Sequence, residues 1–151
     1  MKISQHLDLA EVIRSESAKR NGISNMPTPE HIRNFKALAE KIFEPVRNHF
    51  KVPIRVSSGY RSKELNALIK GSSSSQHCKG QAIDLDMDGT SISNRQIFDF
   101  IKDNLPFDQL IYEFGDDNNP DWVHVSYVPN GRRQILKAFK INNQTKYFPY
   151  E

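Results

Sequence analysis

The sequence predicts an α+β fold with a mainly antiparallel sheet. Hydrophobic residues recur at helical spacing in the first part of the 151-residue chain, whereas short alternating segments typical of strands dominate the remainder. The order of helices and strands shows no regular β-α-β repeat, which disfavours a parallel sheet. The length suits one domain with one hydrophobic core. We therefore expect a single domain over residues 1–151, with helices packed on one side of the sheet.

Two helices are predicted in the first third of the chain. The first covers residues 8–20 and ends at Asn21-Gly22. Thr28 caps the second helix, and Pro29 lies in its first turn, where the missing amide hydrogen costs nothing. Pro45, near the end of the second helix, predicts a kink or a break into a final turn.

Short strands and two further helices follow. In residues 81–87, the apolar Ile83 and Leu85 alternate with Asp84, as in a strand whose two faces differ. The other predicted elements are strands over residues 53–57, 110–114, 122–127 and 133–141, a short helix capped by Ser62 and closed by Gly71, and a helix that begins at the capping box of Ser93 and Gln96. We expect residues 133–141 to form an edge strand, while the tail beyond them is ambiguous.

Three potential metal ligands come from two separate segments. His77 lies in a loop and Asp84 on the strand that follows it, so the pair can hold an ion from two backbone directions. His124 alternates with Val123 and Val125, and because the valines are expected to point to the core, His124 should face the other side of the sheet. Two imidazoles and one carboxylate suit zinc, and three protein ligands leave a fourth position for water, as in catalytic zinc sites.

Three segments of the chain resemble one peptidase family. They are Ser57-Ser58-Gly59-Tyr60-Arg61-Ser62, then Ser75-Gln76-His77-Cys78-Lys79-Gly80-Gln81-Ala82-Ile83-Asp84, then Asp121-Trp122-Val123-His124. Over residues 7–128 the chain resembles the zinc D-Ala-D-Ala carboxypeptidases and endopeptidases of the M15 family, most closely its short single-domain members from phages and bacteria. The resemblance implies a Hedgehog/DD-peptidase-like fold, a zinc ion bound by His77, Asp84 and His124, and the peptide stems of bacterial peptidoglycan as the substrate.

The resemblance also implies roles for three further residues. Arg61 would bind the substrate's carboxylate, or its carbonyl oxygen as negative charge develops there; Ser75 would offer a hydroxyl group to the bound peptide; and Asp121 would be the general base. Residues three apart in a regular strand face opposite sides, so Asp121 must lie at a bend before the strand to reach the metal. If Asp121 is not the base, Glu113 and Asp108 on the neighbouring predicted strand are the next carboxylates to examine.

Other kinds of site agree less well with the sequence. Asp84 to Gly89 copies the opening of an EF-hand calcium loop, but the twelfth position, which should be a glutamate, is Arg95. Cys78 follows His77 directly and would point away from it on an extended segment, which disfavours thiol catalysis. The chain contains neither S-x-x-K nor G-x-S-x-G, so a penicillin-sensitive serine peptidase is disfavoured.

Composition limits the partners and the compartment. The net charge of +3 comes from basic residues dispersed among acidic ones, and no basic stripe with interleaved aromatic residues indicates nucleic-acid binding. No apolar run is long enough to cross a membrane, and we expect a monomer. The first residues do not resemble a secretory signal. Action on the cell wall or in the periplasm would therefore require lysis or another export route after synthesis in the cytoplasm.

Two alternative functions stay open at this point. A catalytically silent zinc-binding domain of similar fold would need neither Asp121 nor Arg61. A zinc N-acetylmuramoyl-L-alanine amidase would use the same ligands on a different bond. The cleaved bond is open as well, because terminal D-Ala-D-Ala cleavage and internal cleavage, such as that between L-Ala and D-Glu, use the same catalytic residues.

Overall fold

The computed structural model describes residues 1–151 and has the α+β fold that the sequence predicts. In chain order the elements are β1 (Lys2–Ser4), β2 (Leu7–Asp8), α1 (Leu9–Ile13), α2 (Glu16–Arg20), α3 (Pro29–Leu38), α4 (Glu44–Phe50), β3 (Val56–Ser58), α5 (Lys63–Leu68), β4 (Ala82–Leu85), α6 (Asn94–Asn104), β5 (Gln109–Glu113), β6 (Trp122–Ser126), β7 (Gln134–Ile141) and β8 (Gln144–Pro149). A π-helical turn at Ala39–Phe43 joins α3 to α4, and a 3₁₀ turn at Gln76–Lys79 precedes β4. No helix is long and apolar enough to cross a bilayer.

Six strands form one sheet in the order β3-β4-β6-β5-β7-β8. Every pairing is antiparallel except that of β5 with β7, which is parallel. The prediction of an edge strand over residues 133–141 is therefore wrong, since β7 lies between β5 and β8. The final strand is not visible as a clear pattern in the sequence, and its pairing gives β7 a partner on both sides.

The two faces of the sheet have different surroundings. One face packs against the helices in a continuous core, whose fully buried members include Phe35, Ile42, Phe98, Val123 and Val125. The other face carries two adjacent rows of side chains, which include the polar and aromatic residues near the predicted metal ligands. One row consists of Asp84, His124, Ile111 and Leu136, and the next of Trp122, Glu113, Ala138 and Tyr147.

The predicted helix over residues 8–20 is two helices, α1 and α2. Arg14 has an extended backbone (φ −61°, ψ 128°) that ends α1, and the Ser15 hydroxyl accepts a hydrogen bond from the Ala18 amide to begin α2. A serine favours such a cap over a place inside a helix because its hydroxyl group competes for backbone amides. The small β1–β2 hairpin before α1 was not predicted at all.

The predictions of locally capped helices are confirmed. The side chains of Thr28, Ser62 and Ser93 each accept a hydrogen bond at the start of α3, α5 and α6. The irregularity expected at Pro45 is the π-helical turn, in which the Glu44 amide donates to the Ala39 carbonyl five residues earlier. A proline has no amide hydrogen and clashes with the turn before it, and the wider π turn accommodates both effects.

Candidate metal centre and active-site cleft

Three predicted ligands converge on the face of the sheet opposite the core. Asp84 on β4 pairs directly with His124 on β6, so their side chains project side by side. His77 reaches them from the 3₁₀ turn that precedes β4. One ligand atom of each residue lies within 4.8 Å of the other two, and Asp84 Oδ1 is 3.3 Å from His77 Nε2 and 3.2 Å from His124 Nδ1.

The orientation of His77 is set by its backbone surroundings. Its Nδ1 lies 2.7 Å from the Gly59 carbonyl oxygen, and because a carbonyl can only accept, Nδ1 carries the hydrogen and the Nε2 lone pair faces Asp84. This is the usual arrangement of a metal-binding imidazole. Glycine is required at position 59, because a Cβ atom there would overlap the Val12 carbonyl oxygen. Gly80 ends the turn after His77 in a left-handed conformation (φ 72°).

The separations in this cluster fit a transition metal. Two ligand atoms held tetrahedrally at zinc distances lie roughly 3.3 Å apart, close to the 3.2 and 3.3 Å observed. The His124 atom at this separation is Nδ1, whereas its Nε2 is buried and has no hydrogen-bond partner. Nitrogen and carboxylate donors together favour zinc over calcium or magnesium.

The protonation states also suit metal binding. Burial by itself would raise the pKa of Asp84, but the adjacent imidazole groups of His77 and His124 hold it well below its usual range. Burial lowers the pKa of His124, against the opposing effect of Asp84. Asp84 is therefore a carboxylate and His124 neutral near neutral pH, which are the forms that bind a metal.

The cluster lies in a cleft of about 880 Å³. Arg61 and Ser75, the two predicted substrate-binding residues, line this cleft as well. The lining also includes Lys70, Gln76, Glu113, Phe114, Trp122, Arg132, Lys140, Thr145 and Tyr147. The cleft is thus bounded by β4, β5 and β6 at its centre and by β7 and β8 on one side.

Arg61 contacts the cluster directly. Its Nη2 lies 3.5 Å from Asp84 Oδ2, its Nε donates to the Ser58 hydroxyl at 3.3 Å, and its side chain is 19% exposed. These contacts orient the guanidinium group and leave other N–H groups directed to the cleft. Arg61 therefore contacts a predicted metal ligand in addition to lining the cleft. The sequence did not predict the contact with Asp84.

Glu113 is the carboxylate that faces the cluster from the neighbouring strand. It pairs with Trp122 on β6, two residues before His124, so Glu113 and His124 share a face. Its side chain is buried, and burial, followed by the negative charge of Asp84, raises its pKa from 4.5 to about 8. A carboxyl group with a pKa near neutrality can both accept and donate a proton at ordinary pH.

The structure does not place Asp121 with the cluster. As expected, it lies at a bend immediately before β6, but its side chain is exposed and does not line the cleft. Its amide donates to the Glu113 carbonyl at 2.8 Å, which continues the pairing of β5 and β6. The bend therefore leaves the alternation of faces intact, and Asp121 points away from His124. The prediction that Asp121 is the base has no support from this geometry.

Ser75 and Cys78 lie in the segment that presents His77. The Ser75 hydroxyl accepts the His77 amide at 3.2 Å, so Ser75 caps the turn that presents His77. Trp122 lines the cleft, whereas Tyr60 is buried in the core. Burial raises the pKa of the Cys78 thiol, which agrees with the inference against thiol catalysis.

The segment that copies a calcium loop is the end of β4 followed by a turn. The Asp86 carboxylate accepts the Asp88 amide at 3.0 Å and the Asn94 side-chain amide at 3.1 Å. Arg95, at the position of the expected glutamate, forms an ion pair with Asp99. These acidic side chains have protein partners that account for them.

Sequence reasoning missed the contribution of the C-terminal strands to the cleft. Lys140, Thr145 and Tyr147 line it from β7 and β8. The alternation in residues 133–141 indicates a strand but not the strand with which it pairs. Asn142 and Asn143, with φ values of 52° and 62°, form the tight turn of the hairpin, and this asparagine pair could have indicated β8.

Comparison with known proteins agrees with this site. Residues 5–126 match the model of the family described as Peptidase M15. No curated protein matches the chain. The matched residues include the three predicted ligands, Arg61 and Glu113, and they end before β7.

Proposed function

The chain belongs to the peptidase M15 family, whose members are metal-dependent peptidases, and from this premise we propose that it is a zinc enzyme that hydrolyses peptide stems of bacterial peptidoglycan. The observation that carries the proposal is the cluster of His77, Asp84 and His124 at the centre of a cleft that also contains Arg61 and Glu113. A purely structural metal site would need neither the guanidinium group nor the second carboxyl group.

His77, Asp84 and His124 would hold the zinc ion. A bound zinc ion would supply a Lewis acid that polarises the scissile carbonyl and lowers the pKa of water. The three residues would hold the ion on the face of the sheet that lines the cleft. The hydrogen bond of His77 to the Gly59 carbonyl and the direct pairing of Asp84 with His124 in the sheet fix their positions before the substrate binds.

Glu113 is the general base in this proposal and replaces Asp121 in that role. It accepts a proton from the attacking water as the water oxygen bonds to the carbonyl carbon, and it returns that proton to the amine when the carbon–nitrogen bond breaks. Its pKa of about 8 and its place beside the cluster support both transfers. Asp121 lacks the required position.

Arg61 binds the substrate. Its guanidinium group, held by Asp84 and Ser58, can donate two parallel hydrogen bonds to a carboxylate or stabilise the carbonyl oxygen as it becomes negative. Lys70 and Lys140 add positive charge to the cleft lining. The cleft therefore suits peptides with free carboxylates, such as peptidoglycan stems. Either terminal D-Ala-D-Ala cleavage or internal cleavage of the stem fits this proposal, and we propose that the protein acts as a monomer on the cell wall.

Mass spectrometry of a peptidoglycan digest tests the proposal. Zinc-loaded protein should release stem fragments with a new amine and a new carboxylate; a strong chelator should stop this reaction and added zinc should restore it. Penicillin should have no effect. Cleavage between N-acetylmuramic acid and L-Ala would instead identify an amidase. Zinc-loaded protein that cleaves no peptidoglycan bond would contradict the proposal and favour a catalytically silent domain.

A further inference from the structure

The inner face of the β7–β8 hairpin forms one side of the cleft, although the hairpin lies outside the residues that match the family. Glu113 on β5 pairs with Ala138 on β7, and Ala138 pairs with Tyr147 on β8. Because Ala138 is small and fully buried, no bulky side chain of β7 separates Tyr147 from Glu113. The hairpin thus extends the row of side chains that begins beside the metal cluster.

Three hydrogen-bond donors lie together on this face. Lys140 and Thr145 pair directly across the hairpin, and Tyr147 is two residues beyond Thr145 on the same face. Cross-strand and diagonal neighbours of this kind are close enough for their side chains to contact one ligand group. The ammonium group, the threonine hydroxyl and the phenol can therefore donate to the same acceptor.

Lys140 carries a charge that no protein group neutralises. Its Nζ lies 5.6 Å from the centre of the Phe114 ring, and both residues line the cleft. No carboxylate lies within ion-pairing distance of it, whereas Lys137, on the opposite face of the same strand, pairs with Asp117 at 3.0 Å. An anion in the cleft would be repelled by Asp84 and attracted to Lys140.

Tyr147 keeps its hydroxyl hydrogen for such a ligand. Partial burial, followed by the negative charges of Glu113 and Asp84, raises its pKa above the usual value. The side chain is nevertheless 52% exposed, so a ligand in the cleft can reach it. A neutral phenol beside an ammonium group can donate to a carboxylate oxygen.

We propose that Lys140, Thr145 and Tyr147 form a subsite that binds a free carboxylate of the peptide and makes the protein prefer stems that carry this carboxylate over stems in which it is amidated. The inference rests on the proposed function, because it assigns the subsite to a peptide substrate. It goes beyond that function by assigning substrate selection to a hairpin outside the family match.

Calorimetric binding of synthetic stem peptides tests the subsite. The parent peptide is L-Ala-γ-D-Glu-L-Lys-D-Ala-D-Ala, and in two variants either the D-Glu carboxylate or the C-terminal carboxylate is an amide. One amidation should weaken binding to the zinc-loaded protein by about tenfold. Lys140→Gln should remove that difference, and Tyr147→Phe should reduce it by a few fold. Lys146→Gln, which removes the same charge from the outer face of the hairpin, should preserve it.

The outcomes separate this inference from the proposed function. If amidation weakens binding equally in the wild type and Lys140→Gln, or does not weaken it at all, the subsite does not exist, whatever the protein hydrolyses. If the Lys140-dependent difference is found but none of the peptides and no peptidoglycan bond is cleaved, the subsite stands and the proposed hydrolysis fails. Both lysines are exposed, so neither substitution should prevent folding, which circular dichroism can verify.

Discussion

The two sides of the cleft differ in how their polar groups are satisfied. On the β4–β6 side, His77 and Asp84 are almost fully buried and are held by each other, by His124 and by backbone groups. On the β7–β8 side, Lys140 and Tyr147 are exposed, and Lys140 has no ionic partner. Buried, mutually bonded groups have fixed geometry, whereas exposed groups can adapt to a ligand.

This difference suits a division of work within the cleft. Metal binding and proton transfer tolerate little displacement of the groups that perform them, and the buried side provides that order. Substrate selection needs donors that exchange water for a ligand at low cost, and the exposed hairpin provides them. Substitutions on the buried side should therefore affect metal content and turnover, and those on the hairpin should affect which peptide binds.

Removing a ligand should have the largest effect. We expect His124→Ala to lose its metal and its hydrolytic activity, because two remaining ligands cannot hold the ion in a closed geometry. Metal analysis should give one zinc per chain for the wild type and much less for the variant. His49→Ala, which removes an exposed histidine outside the cleft, is the matched control. Stoichiometric zinc in His124→Ala would remove this residue from the ligand set.

Glu113→Gln should have the next largest effect. The amide preserves the shape of the side chain but cannot accept a proton, so activity should fall by about two to four orders of magnitude while zinc is retained. Asp121→Asn makes the same chemical change at an exposed carboxylate immediately before β6 and should reduce activity by no more than a few fold. Comparison of turnover and zinc content in the two variants decides between the carboxylates. A large loss in Asp121→Asn with normal activity in Glu113→Gln would restore Asp121 as the base.

The sequence was informative where the determining contacts are local. The caps at Thr28, Ser62 and Ser93 depend on residues within one turn, and all three are confirmed. The alternation of His124 with Val123 and Val125 was enough to predict that His124 faces away from the core. The motifs predicted that His77, Asp84 and His124 come together, and the structure brings them together. That they bind a metal stays a prediction.

Features that depend on strand pairing could not be predicted in the same way. Glu113 faces the cluster because β5 pairs with β6 in one particular register, and a shift of one residue would turn its side chain to the core. The parallel pairing of β5 with β7 brings the hairpin to the cleft, and nothing in either segment indicates that partner. The exposed position of Asp121 outside the cleft could not be predicted either, because it depends on how β6 continues its pairing with β5 before the strand begins.

Arg61→Lys should reduce activity nearly as much as Arg61→Ala, by about a hundredfold. Lysine keeps the charge but cannot reproduce the planar group that contacts Asp84 and Ser58 while binding a substrate. A loss mainly in kcat would indicate stabilisation of the developing negative charge, and a loss mainly in KM would indicate ground-state binding. Arg55→Lys, outside the cleft, is the control. Unchanged kinetics in Arg61→Lys would show that the guanidinium group has no special role.

The smallest effect concerns Asp108, which joins the two sides of the cleft. Its carboxylate accepts the Gln76 side chain, next to His77, at 3.0 Å, and forms an ion pair at 3.0 Å with Arg132, which leads to the hairpin. Asp108→Asn should lower the free energy of unfolding by about 2 kcal/mol, because the buried carboxylate loses charge-assisted hydrogen bonds. Activity should fall only a few fold if the ligands stay in place.

The pH dependence of unfolding distinguishes this ionic contribution from a packing defect. Hydrogen bonds from Arg132 are the largest cause that lowers the pKa of Asp108 from 3.8 to about 2. A lowered pKa contributes stability that is present above 3.8 and disappears as the pH falls through about 2. Denaturant unfolding of the wild type and Asp108→Asn should therefore differ at neutral pH and converge over that interval. Asp103→Asn, at an exposed carboxylate, should match the wild type throughout. A difference between the wild type and Asp108→Asn that persists unchanged to the lowest pH would assign the loss to packing, and the two sides of the cleft would then be joined without the ion pair.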